Sequence, residues 1–517
     1  MIVGQNNSPG ENRVGRCFAF AATASLRCRA ERSVVDNRWL AILFFCLCTL
    51  LSFTNAALGQ VVKYAITHVT VIDPTDGRSQ QDMAIVVNGH DIESVVPSSQ
   101  LHLPTSTEVI SCKGMFVIPG LWDMHVHFRD VDRDLKMDVA NGVLGIRNMG
   151  GIAKEVFAIR QQIAAGQRLG PKIVASGPIV DGPNSWSNPA FTISVKSPEE
   201  ARSTIRSLKQ QGADFIKVYD GLPHDTYYAI ADETKKLGLS FAGHVPSSVS
   251  VQEASFAGQR TLEHGFGFLR GGSTTENEYI KQALDQSVFK EAMQTKNFSL
   301  IPAKIARDDT AMLDHFSRKR ADETYRLLDK NNTLLTPTFV AERSLTFIDD
   351  LDKKGDPRTK YVSADELRGW KPENGLLTKY RTPEYITVRK REYAMIMKEF
   401  RRAQSLGVRF LAGTDITIPH TFPGFSLHDE LKLFVDAGFN PLQALQTATT
   451  NPAILLGLEK SWGRVASGYT ANLVLLRGDP LLEISNTSTI DAVVLNGKFL
   501  DRAQLDKMLS EARLSKE

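Results

Sequence analysis

The stretch Leu121-Trp122-Asp123-Met124-His125-Val126-His127 decides how the rest of this chain is read. It is apolar enough for a strand, and in a strand residues two apart point to the same side. His125 and His127 therefore present two imidazoles together at the end of the run. Taken alone, the pair reads equally well as two polar residues at a strand end. Its weight comes from what other runs carry in the same place.

Outward from it, strands alternate with helical stretches between about Ile118 and Gly463. Eight candidate strands are Met115–His127, Gly142–Met149, Lys172–Ser176, Asp214–Tyr219, Ser240–Val245, Arg260–His264, Leu334–Phe339 and Arg409–Asp415. Helical segments such as Ser197–Gln211 and Asp225–Leu237 lie between them. This alternation predicts an α/β fold, a (β/α)8 TIM-type barrel. Its insertions, roughly 270–330 and 341–405, are long enough to cover a site. Short strands also fill both ends of the chain, with hairpin signals at Asn88-Gly89 and Asn496-Gly497. They predict a small β-sandwich built from residues 60–118 and 464–517, with the barrel, residues 119–463, inserted between them.

Four other candidate strands close on residues of the same kind. Lys217 lies in Phe215-Ile216-Lys217-Val218-Tyr219, His244 in Ala242-Gly243-His244-Val245, His264 in Leu262-Glu263-His264-Gly265, and Asp415 in Leu411-Ala412-Gly413-Thr414-Asp415. In a (β/α)8 barrel the C-terminal strand ends converge on one face, where catalysis occurs. Imidazole and carboxylate together suit Zn²⁺ and similar ions. Lys217 is the odd member. A lysine between apolar residues is costly to bury, and its plain reading is a partner for an acid. Carboxylated by CO₂ it becomes a carbamate anion able to bridge two metals, which explains its company.

Together with Pro119-Gly120 before the His pair, Ser426-Leu427-His428-Asp429-Glu430-Leu431, Ala444–Thr449 and Asn451-Pro452-Ala453, these motifs resemble the metal-dependent amidohydrolase superfamily. The closer resemblance is to its imidazolonepropionase-like and prolidase-like branch, over nearly the whole chain after Gly59. The resemblance implies two divalent metal ions, zinc first among them. His125, His127 and Asp415 would hold one, His244 and His264 the other, with carboxylated Lys217 and a hydroxide between them. Asp415 would pass the water's proton to the leaving nitrogen. Tyr219 would donate to the oxyanion or contact substrate, its other reading being a rim tyrosine. Arg147 would bind a substrate carboxylate, or else pair with a neighbouring acid. His420 follows the eighth strand closely enough to reach substrate. His428 and Glu430 would support the ligands or simply pack. The sequence departs from the branch at Asn148, where Asp is usual, and in the loop Gly177–Trp186, which lacks the Gly-Gly-His of prolidase-like relatives; the second departure weakens dipeptidase specificity.

The implied activity is hydrolysis of an amide, peptide or cyclic amide bond in a small molecule by a metal-bound hydroxide. A lactone or ester hydrolase using the same site is the alternative. A non-catalytic secreted barrel that binds a ligand fits less well, because Lys217 and Asp415 are both present.

Bulk properties bound the rest. The 517 residues are 42% hydrophobic and 23% charged, as in ordinary globular proteins. The formal charge is +3, and residues 1–59, with six Arg and three acids, supply all of it (6 − 3 = +3). A neutral remainder gives no electrostatic case for nucleic acid. Residues 39–53, WLAILFFCLCTLLSF, follow Arg29, Arg32 and Arg38 and precede small residues. That pattern predicts a secretory signal within residues 1–59, and hence a secreted or periplasmic protein. The alternative is a membrane anchor through a retained 39–53, which is short of the ~20 residues a span needs. Four of the five Cys lie in that segment, so a mature chain would keep Cys112 alone and form no internal disulfide. The partners expected are a small-molecule substrate and, at most, further copies of the chain.

Overall fold

Strand β6, Leu121–Val126, is buried at every position, as a strand covered on both faces must be. It belongs to a computed structural model that describes residues 63–514, apart from 184, 186, 376 and 377. The predicted signal segment, 1–59, lies outside the described residues. Among the described residues no helix is long and apolar enough to cross a membrane.

β6 pairs in parallel with β7 (Val143–Asn148), and β7 with β8 (Lys172–Ala175). A second parallel sheet has six strands. In spatial order they are β10 (Thr192–Ser194), β9 (Ile179–Asp181), β11 (Phe215–Val218), β12 (Ser240–Gly243), β13 (Thr261–Glu263) and β14 (Leu334–Thr336). Backbone hydrogen bonds link the two sheets at both edges. Asp214 N donates to Ala175 O at 2.9 Å, joining β11 to β8. On the other side, Leu411 N donates to Leu335 O at 2.8 Å and Met124 N to Ala412 O at 2.8 Å. Residues 409–412 thus lie between β14 and β6, and the bonds run in a circuit back to where they began.

The helices between strands end where local chemistry dictates. In Pro198–Gln211 the Ser197 hydroxyl caps the Glu200 amide, Pro198 opens the first turn, and Gly212 closes the helix at φ 100°. The insertions are helical. Four helices fill residues 276–330, and the second insertion ends in the 23-residue helix Pro383–Ser405.

Two expectations need correction. Met115–His127 is two strands, β5 (Phe116–Pro119) and β6. Gly120 separates them, with its N–H bound to Asn472 O at 2.8 Å; a Cβ there would meet Leu144 at 2.8 Å. The loop read at Gly177–Trp186 contains β9, and β10 follows it, each only three residues long and so too short for a periodic signal. The terminal segments pair as one continuous eight-stranded sheet. The reason is β1 (Lys63–Ile72), which pairs along one edge with β2 (Ser79–Asn88) and along the other with β4 (Glu108–Ser111) and β5. β5 continues the sheet into β15 (Leu473–Leu476) and β16 (Ile490–Leu495). Alternation divides its side chains. Val474, Leu476 and Val493 join the main core, whereas Leu473, Leu475 and Val494 build a second one with Ile66, Val69 and Ile85.

Candidate metal centre

Five of the six expected ligands are linked by short distances at the C-terminal ends of the parallel strands. Asp415 Oδ1 lies 3.4 Å from His125 Nε2 and 3.5 Å from His127 Nε2. Ligand atoms of His125, His264 and Asp415 lie within 4.8 Å of one another, a group able to hold a metal ion. The His264 ring centroid is 4.9 Å from that of His125 and 4.7 Å from that of His244. Lys217, fully buried, completes the set, and its charge is felt by His125, His127 and His264.

Each imidazole is held through its Nδ1, which in His264 also lies 4.0 Å from Asp415 Oδ2. His125 Nδ1 meets Glu263 Oε2 at 2.8 Å, and His127 Nδ1 meets Gly150 O at 3.1 Å. His244 Nδ1 meets both Asp220 carboxylate oxygens at 3.1 Å, and His264 Nδ1 meets Thr338 Oγ1 at 2.7 Å. Carboxylate and carbonyl oxygens only accept, so Nδ1 carries the hydrogen there and ligation falls to Nε2. Burial, then the charge of Lys217, push His125 well below its ordinary pKa; burial also puts His264 well below it and lowers that of His127. Neutral imidazole is the ligating form, so the donor set fits a divalent ion of the zinc type. Burial also pushes Lys217 down to about 8.

The backbone at the site is strained. His264, Thr338 and Asp415 have φ of 67°, 48° and 52°, the left-handed region that costs a non-glycine residue about 1–3 kcal/mol. Two buried carboxylates hold these positions. Asp123 accepts from Thr414 N at 3.0 Å, Thr414 Oγ1 at 2.5 Å and His125 N at 3.2 Å, tying β6 to the residue before Asp415. Burial raises its carboxyl to about 7. Glu430 accepts from Phe339 N at 3.0 Å and Val340 N at 2.8 Å, fixing the first turn of the helix Phe339–Thr346 just after Thr338. Sequence reading missed Glu263, Asp220, Thr338 and Asp123 as supports. Glu263 and Asp220 stand directly beside the assigned residues His264 and Tyr219, and that adjacency was the available signal.

The residues expected to contact substrate fare differently. Tyr219 lies against His244, with ring centroids 4.0 Å apart, and burial raises its hydroxyl pKa. His420 sits at φ 58° with its ring 5.1 Å from Trp370. Its loop is held by Arg129, which donates to Ile418 O at 2.8 Å and Thr421 O at 3.1 Å. Arg147 is a correction. Its guanidinium donates to Met124 O at 2.6 Å, Thr261 Oγ1 at 2.9 Å and Glu263 Oε1 at 2.9 Å. It is 2% exposed. With its donors committed inside, it neutralises Glu263 instead of meeting a substrate carboxylate.

The Amidohydrolase family pattern matches residues 116–500, a span that contains every residue of this centre. The chain belongs to the amidohydrolase family. It is accordingly a hydrolase, of a family that is generally metal-dependent. This amidohydrolase is 21% identical to the ochratoxinase of Aspergillus niger over 490 residues, covering 82% of this chain and 83% of that one. A dihydroorotase of Geobacter metallireducens is 25% identical over 199 residues, 38% of this chain, and the match spans only 44% of the dihydroorotase. Among solved structures, a bottromycin amidohydrolase superposes with a TM-score of 0.69 at 22% identity, covering 88% of this chain and 91% of that one. The last likeness establishes the amidohydrolase-type α/β fold with parallel sheets.

Proposed function

We propose that this amidohydrolase is metal-dependent and cleaves a carbon–nitrogen bond, in an amide, peptide or cyclic amide, of a small molecule. The observation that carries the reading is the anchoring of four imidazoles through Nδ1 around Asp415 and Lys217. In this reading the circuit of parallel strands is a (β/α)8 barrel with the six side chains at its C-terminal mouth. His125, His127 and Asp415 hold one divalent ion, zinc in the first instance. His244 and His264 would hold a second, and Lys217, as its carbamate, would contribute a negatively charged ligand. A protonated Lys217 would repel both cations, whereas its carbamate attracts them. Bound there, the ions supply an activated water and polarise the scissile carbonyl.

The chain's own groups do the rest. Asp415 takes the proton that the attacking water loses and returns it to the leaving nitrogen. Tyr219, kept protonated by burial, donates its hydroxyl hydrogen to the carbonyl oxygen as that atom gains charge. His420, beside Trp370, contacts the substrate from the edge of the mouth. Residues 1–59 act as a secretory signal.

The test is a hydrolysis screen of dipeptides, N-acyl amino acids, cyclic amides and lactones on protein of measured metal content. The expected result is C–N cleavage, abolished by chelation and restored by Zn²⁺. Turnover of lactones alone would move the reading to an ester hydrolase. Activity indifferent to chelation would contradict it.

A further inference from the structure

The opposite end of the parallel strands carries a site that the proposed reaction does not use. A cavity of about 350 Å³ opens there. Its lining includes Lys172, Phe215, Arg260 and the leucines Leu455, Leu456 and Leu458. Lys172 and Phe215 are the first residues of β8 and β11, and Arg260 immediately precedes β13. The cavity therefore faces away from His125, His264 and Asp415, which stand at or beyond strand C-termini.

Its charge is unbalanced. Arg409 lies close enough to Arg260 for the two guanidiniums to repel each other. Arg409 donates to the neutral Asn332 side chain at 2.9 Å. Asp214, the one carboxylate in the lining, is paired with Arg160. Arg147, in the cavity wall, is neutralised by Glu263. Among the described residues no carboxylate forms an ion pair with Lys172, Arg260 or Arg409. In a chain whose body is close to neutral, two uncompensated cations in the lining, with Arg409 near one of them, call for an anion. Clustered leucines and Phe215 beside them call for an apolar surface.

We propose that this cavity binds a small organic anion with an apolar body, its charged head between Lys172 and Arg260 and its body against Leu455, Leu456 and Leu458. The charge is recognised by direct pairing with a guanidinium and an ammonium. The apolar body adds affinity by leaving water, so an inorganic anion binds more weakly than an organic one.

Octanoate, octylamine and sulfate serve as probes in titration calorimetry on the whole protein, before and after chelation. Octanoate is expected to bind once per chain and to keep binding after chelation, which separates this site from the metal centre. Octylamine is expected not to bind, and sulfate to bind more weakly than octanoate. Lys172→Gln with Arg260→Gln should weaken octanoate about tenfold or more. Leu456→Trp, which would fill the cavity and leave both charges in place, should do the same, so the two variants test the charged and the apolar lining separately. Octylamine binding as well as octanoate would overturn the proposal. So would sulfate binding as tightly as octanoate, loss of octanoate binding on chelation, or an affinity unmoved by both variants.

Discussion

In the terminal eight-stranded sheet and in the parallel-strand region, two equally buried strands, β15 and β13, bury opposite chemistry. β15 buries four aliphatic side chains and nothing else. β13, equally buried, carries Thr261 and Glu263 and leads into His264. Buried polar groups cost free energy unless they are hydrogen-bonded, and those of β13 are matched one by one. Glu263 alone joins His125 to Arg147. The difference teaches that the terminal sheet exists to hold the chain together, whereas the parallel strands sacrifice apolar packing to fix a constellation of ionisable groups. Changes in the first should be felt as stability, and changes in the second as activity and metal affinity.

The largest expected effect breaks the comparison at its functional side. Asp415→Asn keeps the size of the side chain and removes its capacity to accept a proton, so turnover should fall about 100- to 10,000-fold. Circular dichroism and thermal unfolding should stay close to those of the parent. Near-parental turnover in this variant would refute the role assigned to Asp415.

Glu263→Gln sharpens the comparison because Glu263 belongs to both sides of it. Removing its charge leaves Arg147 buried with no counter-ion, which costs about 3–5 kcal/mol. It also loosens the hold on His125 and should weaken metal binding about 10- to 100-fold. Thermal unfolding and metal titration check the two parts. If the variant lost stability but bound metal as the parent does, the support of His125 by Glu263 would be wrong.

The smallest effect on activity should come from the terminal sheet. Leu475→Ala, in the second core, should lower stability by about 2–5 kcal/mol. Turnover per folded molecule should be unchanged, measured well below the unfolding temperature. A loss of turnover without a loss of stability would erase the distinction between the two regions.

The clustering of His125, His127, His244, His264 and Asp415 was legible because each closes an apolar strand, and parallel strands deliver their ends to one place. Lys217 stood out for a different reason: a lysine between Ile216 and Val218 is costly to bury, and its plain reading was a partner for an acid. Arg147 was misread. Strand alternation puts a side chain inside, but it does not say whether a long one reaches up to the mouth or across to Glu263. The supports were hidden because their partners are distant in the chain; His125 and Glu263 are 138 positions apart. The pairing within the terminal sheet was hidden for a related reason. Hairpins at the two ends announce strands, but only the pairing of β1 along both its edges decides that they form one sheet. The separate cation-lined cavity went unseen because Lys172, Arg260 and Arg409 are far apart in sequence and each looks like an ordinary surface charge.

The central claim is that Lys217, as its carbamate, is a ligand of the ions held by the four imidazoles and Asp415. Elemental analysis of purified parent and Lys217→Ala protein tests it most directly. The account predicts about two divalent ions per parent chain and about one or none in the variant. Two tightly bound ions in the variant, or none in a correctly folded and metal-supplemented parent, would contradict it.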